Sequence, residues 1–197
     1  MDIDLETLSL KIGEQLGLKD TVVLAISGFG GAGKTTLADS ITNNFTESAV
    51  MPLDDFVINR GKGKGWAGGF DWDRLEQLFK DIKARKNLHY QRYDWKADKL
   101  DDRWIDKRLP KLVIIEGVRL FQPKFMDYFD LSVWIDVDLT TATAQGVDRD
   151  RNKWHKIDNE GLEAHLESWQ TVWVPKEKEF LEKFHPDAAA DYKITNP

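Results

Sequence analysis

The stretch from Ser27 to Thr36, Ser-Gly-Phe-Gly-Gly-Ala-Gly-Lys-Thr-Thr, constrains this chain more than any other part of its sequence. It matches the pattern G-x-x-x-x-G-K-[ST] without a gap, from Gly28 to Thr35. An apolar run precedes it at 21–26 and a helix-compatible run follows at 35–41, which is the strand–loop–helix context that the pattern requires. Residues Gly28–Thr36 are referred to below as the phosphate loop. In this context the pattern predicts a nucleoside-triphosphate site.

Each residue type in the phosphate loop has a physical task. Glycines let backbone N–H groups turn inward around phosphate oxygens, where a side chain would block the approach. The Lys34 ammonium is expected to reach the β- and γ-phosphates, and the Thr35 hydroxyl to ligate Mg²⁺. The helix that follows points its positive N-terminal end at the same anion. The predicted nucleotide-binding residues are Gly28, Gly30, Gly31, Ala32, Gly33, Lys34, Thr35 and Thr36.

The composition narrows the class of protein. A length of 197 residues predicts one domain, and 41% hydrophobic with 31% charged residues is usual for a soluble globular chain. A net charge of −6 argues against nucleic-acid binding, which needs a basic face. No apolar run approaches the roughly 20 residues that cross a membrane. The absence of cysteine excludes disulfides, zinc–thiolate sites and thiol catalysis. We therefore expect a cytoplasmic protein without a nucleic-acid or membrane partner.

Predicted strands alternate with predicted helices along the chain. Such alternation favours an α/β fold of three layers, with a mostly parallel sheet and helices on both faces. The apolar runs that predict strands are 21–26, 49–53, 112–115, 131–135 and, at the sheet's edge, 191–194. Helical patterns cover 3–17, 35–41, 71–86, 140–152 and 160–184, the last with a break near Pro175. Residues 89–95 resemble a short strand, and 96–108 fit either a hairpin or a loop.

Two segments of the single predicted domain, 1–197, could close over a ligand. Residues 59–70 contain five glycines and three basic residues, which predicts a mobile loop serving as a linker or as a flap. Arg149 and Arg151 lie at the end of the predicted helix over 140–152 and begin a basic cluster. The cluster is either a solvated helix end or a lid, near 149–158, that stabilises charge during phosphoryl transfer.

Acidic residues follow several of the predicted strands. In parallel sheets ligands bind beyond the C-terminal ends of the strands, where the phosphate loop, Asp54, Glu116 and Asp136 all fall. Glu116 can hold Mg²⁺ directly or through water, opposite Thr35. Asp54 is the candidate general base toward an acceptor hydroxyl, and Asp55 is its rival, because the sequence does not decide which side chain points inward. Either aspartate could instead be a cap or turn residue.

These residues, in this order, resemble the uridine kinase and phosphoribulokinase group of P-loop kinases, with the nicotinamide riboside kinases as close relatives. The resemblance extends from about Thr21 to Ile194. It implies a P-loop fold that uses ATP and Mg²⁺. The segments that carry it are Gly28–Thr35, Leu53–Phe56, Phe70–Asp71, Tyr93–Trp95, Ile114–Val118, Arg149–Asp150 and Ala190–Ile194.

The resemblance also implies roles for individual residues. Asp54 corresponds to the catalytic base, which also touches Mg²⁺, and Glu116 to the metal-associated acid. Asp71 corresponds to the acid that binds the ribose hydroxyls. Aromatic residues that line the nucleoside pocket correspond to Tyr93 and Trp95. On the lid, catalytic Arg149 and nucleotide-binding Arg151 complete the predicted site.

The sequence departs from uridine–cytidine kinases at the position that reads the pyrimidine, where Asp98 stands in place of histidine. The lid has fewer arginines, and residues 59–70 are richer in glycine. The resulting hypothesis is an ATP-dependent kinase for a small molecule, acting most simply on the 5′-hydroxyl of a nucleoside. Alternative acceptors are nicotinamide riboside, pantothenate or a sugar phosphate, and a rival of another class is an ATP-hydrolysing or regulatory nucleotide-binding protein. Relatives of this group often form homo-oligomers, so a homo-oligomer is possible, but the sequence determines neither an oligomeric state nor an interface.

Overall fold

The computed structural model describes residues 1–59, 63–154 and 159–195. Its strands are β1 (Val22–Ser27), β2 (Ser48–Pro52), β3 (Leu88–Asp94), β4 (Lys99–Lys107), β5 (Leu112–Glu116), β6 (Leu131–Ile135) and β7 (Tyr192–Ile194). Its α-helices are α1 (Leu5–Leu16), α2 (Lys34–Asn44), α3 (Trp72–Lys83), α4 (Pro123–Met126), α5 (Leu139–Trp154), α6 (Asn159–Ser168), α7 (Val174–Phe184) and α8 (Pro186–Ala189). Residues 60–62 of the predicted flap and 155–158 of the predicted lid lie outside the described residues.

The described part of the chain builds a parallel sheet in the order β2-β5-β1-β6-β7. Strand β1 lies at its centre, where Val22 pairs with Leu112 of β5 and Leu24 pairs with Leu131 of β6. Every residue of these three strands is buried, as expected of parallel strands with layers on both faces. The predicted three-layer α/β fold is confirmed, with β7 at the edge of the sheet as the sequence indicated.

Strands β3 and β4 form a separate antiparallel hairpin, which decides between the two alternatives left open for 96–108. Tyr90 and Tyr93 are buried on its inner face, and the pairing register shifts between Gln91 and Tyr93. The ring of Tyr90 stacks on Phe56 with 5.6 Å between centroids. Phe56 ends a short 3₁₀ turn, Leu53–Phe56, that directly follows β2. The hairpin therefore forms a wall beside the carboxyl end of β2.

The predicted helix over 160–184 is present and interrupted, as the proline indicated. Between α6 and α7 the chain forms a π-helical segment, Trp169–Trp173, and Pro175 stands in the first turn of α7. Proline lacks the N–H that a continuing helix would use, which favours a break at this point. The buried ring of Trp169 packs edge-on against Trp173 at 5.2 Å.

The described part of the predicted flap folds back onto the domain. Val57 and Phe70 form an isolated antiparallel bridge that brings the two ends of the segment together. Trp66 packs on two phenylalanines of α7, with centroids 5.5 Å from Phe180 and 4.8 Å from Phe184. Within the described residues, no helix is both long and apolar enough to span a membrane.

Candidate active site at the carboxyl edge of the sheet

The phosphate loop leaves β1 and enters α2 through glycines in the left-handed backbone region. Gly31 has φ +86° and Gly33, the N-cap of α2, has φ +97°. A Cβ atom on Gly31 would lie 2.1 Å from the carbonyl oxygen of Ala142 in α5. Glycine at 31 is thus required both by the backbone conformation and by the close approach of α5.

Lys34 is buried beneath the loop. Its Nζ donates to the carbonyl oxygens of Gly28, at 3.2 Å, and Phe29, at 2.7 Å. Burial lowers the pKa of Lys34, while the negative charges of Glu116, Glu177 and Asp54 act in the opposite direction. The ammonium group therefore lies among three acids contributed by separate parts of the chain.

Thr35 and Glu116 meet across the sheet's carboxyl edge. The Thr35 hydroxyl donates to Oε1 of Glu116 at 3.2 Å, and Ser27 of β1 donates to the Gly117 carbonyl at 3.0 Å, which fixes the end of β5 beside the loop. Burial raises the pKa of Glu116, and the charge of Lys34 opposes that effect.

The oxygen atoms at this point fit a magnesium ion. In the described ranges no three His, Cys, Asp or Glu side chains are grouped as a metal site. Magnesium needs no such cage, because it commonly keeps several waters and is held by one or two carboxylates together with substrate phosphates. A hydroxyl from Thr35 and a carboxylate from Glu116 supply donors of that hard-oxygen type.

The two aspartates of the 3₁₀ turn have different surroundings. Asp54 is exposed, and its charge raises the pKa values of both Lys34 and Glu116, so it belongs to the acidic group around the loop. Asp55 belongs to the hairpin side. Its Oδ2 accepts from the Tyr90 hydroxyl at 3.3 Å and lies 3.3 Å from Nε of Arg92.

Burial, opposed by the charge of Arg92, raises the pKa of Asp55. Burial, reinforced by the charge of Asp55, raises the pKa of Tyr90 to about 12. Arg74 of α3 donates to the carbonyl oxygens of Asp55 at 2.8 Å and Gln91 at 3.1 Å. Asp55 and Arg74 together fasten the turn to the hairpin.

The residues predicted to bind the acceptor lie around this hairpin. Asp71 caps α3 by accepting from the Arg74 backbone N–H at 3.0 Å, and its own N–H donates to the Phe56 carbonyl at 2.8 Å. Tyr93 is buried and donates its hydroxyl to Asp98. Trp95 is 45% exposed and packs edge-on against Tyr93. The structure thus brings Asp71 next to the turn and places the two aromatic residues together on the hairpin.

The two arginines of the predicted lid differ in position. Arg149 binds Oδ1 of the buried Asp150 through Nε, at 2.9 Å, and Nη2, at 2.8 Å. The charge of Arg149 lowers the pKa of Lys34, so the two cations are near enough to interact. Arg151 instead pairs with the exposed Asp148 at 3.5 Å. Its nucleotide-binding role stays a prediction.

Arg119 and Lys176 are two buried cations that bind the segment 66–70 and that the sequence reasoning did not identify. Arg119 has φ +59° and places its guanidinium 4.8 Å from the centre of the Phe70 ring, where it donates to the carbonyl oxygen of Trp66. Burial, opposed by the charges of acidic neighbours, lowers its pKa to about 10. Lys176 of α7 donates to the carbonyl of Gly68 at 3.1 Å. These two buried cations anchor the described part of the flap.

Glu177 is a third residue that the sequence did not reveal. It is buried, and both of its carboxylate oxygens accept from the Gly30 N–H, at 3.0 and 3.1 Å. The run Lys-Glu-Lys-Glu at 176–179 looks like an ordinary solvated helix face, so composition carries no signal for it. Arg119 could have been suspected, since it follows the strand-end acid Glu116 by three residues.

A parallel sheet whose central strand leads into a phosphate loop, with an acid from the neighbouring strand facing the loop's threonine, is the arrangement of P-loop nucleotide-binding proteins, a class that includes the P-loop kinases. Within that class, the chain belongs to the phosphoribulokinase / uridine kinase family, whose model matches residues 67–172.

Individual relatives agree with this assignment. The uridine kinase of Ureaplasma urealyticum serovar 10 is 24% identical over 180 residues, covering 85% of each chain. A candidate uridine kinase from Bacillus stearothermophilus matches 95% of this chain and 99% of its own, with 22% identity and a TM-score of 0.66. A candidate fructose transport system kinase from Silicibacter sp. TM1040 matches 99% of this chain and 100% of its own, with 21% identity and a TM-score of 0.73. At these identities the solved structures establish a shared fold, and their named activities differ.

Proposed function

We propose that this protein is an ATP-dependent kinase that transfers the γ-phosphate to a hydroxyl of a small molecule, first of all the 5′-hydroxyl of a nucleoside. The observation that carries the proposal is the position of Asp54. It follows by two residues Pro52, which pairs with Glu116 in the sheet, and its charge acts on both Lys34 and Glu116. On its other side it directly precedes Asp55, which the hairpin anchors. A carboxylate between a phosphate site and a second wall is suited to act on an acceptor.

On the nucleotide side, the loop N–H groups and Lys34 bind the phosphates. Thr35 and Glu116, with Asp54 in reach, would hold Mg²⁺, which when bound neutralises charge that develops on the phosphates. Arg149, oriented by Asp150, adds a positive charge toward the loop. Phosphoryl transfer depends mainly on such positioning and charge stabilisation, because the transition state is loose and demands little covalent chemistry from the protein.

On the acceptor side, Asp54 orients the hydroxyl and takes up its proton. The acceptor oxygen forms a bond to the γ-phosphorus as the bond from that phosphorus to the ADP oxygen breaks, and ADP leaves. Asp71 would hold acceptor hydroxyls, while Tyr93 and Trp95 would line the pocket for its ring. Asp55 is fully engaged by the hairpin, which favours Asp54 as the base.

A second acceptor, nicotinamide riboside, is favoured by one specific contact. The carboxylate of Asp98 accepts a hydrogen bond from the Tyr93 hydroxyl. It therefore lies at the end of the proposed pocket that would hold the ring of the acceptor. A negative charge there suits a positively charged ring or one with N–H donors.

By contrast, an ATPase without an acceptor has no use for the wall built from Tyr90, Tyr93 and Asp55.

The test is an acceptor screen. The protein is incubated with Mg-ATP and a panel of nucleosides, nicotinamide riboside, pantothenate and sugars, and the phosphorylated product is identified by mass spectrometry. We expect one class to accelerate ADP formation, and Asp54→Asn to reduce transfer roughly 10²- to 10⁴-fold while ATP binding persists. ADP release that no panel member accelerates would support the ATPase instead.

A further inference from the structure

Glu177 places a carboxylate of the protein itself on the phosphate loop. The Gly30 N–H donates to Oε1 at 3.0 Å and to Oε2 at 3.1 Å. Gly30 is the third residue of the G-x-x-x-x-G-K-[ST] pattern, whose backbone N–H groups bind phosphate oxygens. The Glu177 side chain therefore occupies a backbone donor of the element that the proposed function assigns to the anionic end of ATP.

Glu177 is a buried acid that lies near two cations. The side chain is buried, so it has little solvent to screen it, and its charge acts on both Lys34 and Arg119. Burial raises the pKa of Glu177, while Lys34, the Gly30 N–H and Arg119 lower it. The carboxylate thus shares with the terminal phosphates both a backbone donor and the Lys34 cation.

Trp169 closes the same side of the loop. A Cβ atom on Gly30 would lie 2.9 Å from the Trp169 ring and 3.2 Å from Oε1 of Glu177. The same ring packs on α5, where a Cβ on Gly146 would lie 2.3 Å from it. Glycine at both positions lets the ring lie directly against the backbone. Trp169 and Glu177 therefore form one cover over Gly30.

We propose that Glu177 is an autoinhibitory residue, an internal competitor that must leave the Gly30 N–H when the terminal phosphates of a nucleoside triphosphate occupy the loop. The inference rests on the proposed function in one respect, namely that ATP binds this loop. A carboxylate and a phosphate oxygen are both acceptors and both negative, and in a buried site their repulsion is weakly screened. Both cannot hold the same donor.

The helix that carries Glu177 is preceded by an irregular segment that offers a hinge. The π-helical segment Trp169–Trp173 interrupts the α-helical hydrogen-bond pattern, and Pro175 follows it two residues before Glu177. Single π turns of this kind are frequently found at functional sites. A shift at this segment would carry Trp169 and Glu177 away from Gly30 together, so that nucleotide binding and opening of the cover are one event.

The test compares ATP affinity by isothermal titration calorimetry. Glu177→Gln keeps the size of the side chain and an acceptor oxygen, and it removes the charge that would repel the terminal phosphates. We expect ATP to bind this variant about tenfold more tightly than wild type, within the usual range for two coupled ligands. The matched control is Glu182→Gln, the same charge change at an exposed position of α7. Binding of AMP, which lacks the β- and γ-phosphates, should change little.

A second measurement follows the cover directly. We expect ATP to increase hydrogen exchange over residues 169–177 of the wild type. Equal ATP affinity in wild type and Glu177→Gln, or an equal gain in Glu182→Gln, would overturn the autoinhibitory role. ATP binding by the variant alone would support it most strongly. If neither protein binds ATP, the proposed function fails, and this inference fails with it.

Discussion

The hydroxyl of Thr35 and Oε1 of Glu116 lie 3.2 Å apart, although the two residues are 81 positions apart in the sequence. The contact joins the start of α2 to the end of β5 and creates the paired oxygens proposed to bind Mg²⁺. Neither residue is close to the other in sequence, and each comes from an element that the sheet holds rigidly. This pair is the most direct point at which to test the proposed metal site.

Thr35→Ala should increase the Mg²⁺ concentration required for half-maximal ATP turnover about 10- to 100-fold, the usual loss when a group supporting a metal is removed. Thr35→Ser retains the hydroxyl and is the matched control. The measurement is a magnesium titration of ADP formation. Equal magnesium requirements for the alanine and serine variants would show that the Thr35 hydroxyl does not serve the metal.

Substitution of the two neighbouring aspartates should separate chemistry from positioning. Asp54→Asn is expected to lower kcat, because it removes the proposed base. Asp55→Asn should mainly raise the KM for the acceptor, since it weakens the link from the turn to Tyr90 and Arg92. Steady-state kinetics with the acceptor found in the screen distinguish the two. A larger loss of kcat in Asp55→Asn would reverse the assignment.

Two glycines within helices should respond in opposite ways to the same substitution. Gly13 is exposed in α1, and an added Cβ meets nothing within 4 Å, so Gly13→Ala should stabilise the fold by about 0.5–1 kcal/mol. At Gly146 the new Cβ would lie 2.3 Å from the Trp169 ring. We expect Gly146→Ala to destabilise by about 1–3 kcal/mol through overpacking. Urea unfolding of both variants gives the comparison, and a stabilised Gly146→Ala protein would contradict the packing described here.

Asp150 should contribute stability that depends on pH. Its burial acts to raise the pKa, but hydrogen bonds from His165, Arg149 and Trp169 hold the pKa below its usual value. A carboxylate with a depressed folded-state pKa stabilises the fold above its unfolded-state pKa and loses that effect as the pH falls through the folded-state value. Asp150→Asn should therefore cost about 2 kcal/mol at pH 7, with a shrinking difference below about pH 4.

The control for that prediction is Asp148→Asn, on the same helix. The Asp148 side chain is 71% exposed and its oxygen lies 3.5 Å from Arg151, so the substitution should change stability by less than about 0.5 kcal/mol. Urea unfolding at pH 7 and at several values between pH 5 and pH 3 measures both variants. A penalty for Asp150→Asn that stays constant across this range would mean that its charge is not the stabilising feature.

The central sheet was predictable because its strands are continuous apolar runs bounded by loops, and Leu112–Ile115 is the plainest example. The phosphate loop was equally clear, since its pattern fixes residue type and spacing. The hairpin was harder to predict. Residues of β4 such as Lys99 and Asp106 are charged and exposed, so the strand lacks the alternation that usually marks one.

The residues that sequence reasoning missed share one property: their roles come from contacts across the fold. Glu177 reaches Gly30 from 147 positions along the chain, and Arg119 reaches the Trp66 carbonyl from 53 positions away. Helical spacing can indicate that Glu177 faces inward, but it does not identify the backbone N–H that donates to its side chain. Asp54 and Asp55 show the same limit, because a 3₁₀ turn determines which of two adjacent carboxylates faces the loop.

The parallel order of the sheet has a consequence for how the protein acquires its activity. In the described part of the chain, strand β1 pairs with β5 and β6, and the hydrogen bond from Ser27 to Gly117 joins residues 90 positions apart. Pairings this distant in sequence are made slowly, since the chain loses entropy before the contacts compensate for it. A nascent chain that has emerged only as far as α2 carries the entire G-x-x-x-x-G-K-[ST] pattern and no site. The pair of oxygens proposed to bind Mg²⁺ can form only after β5 has brought Glu116 to Thr35.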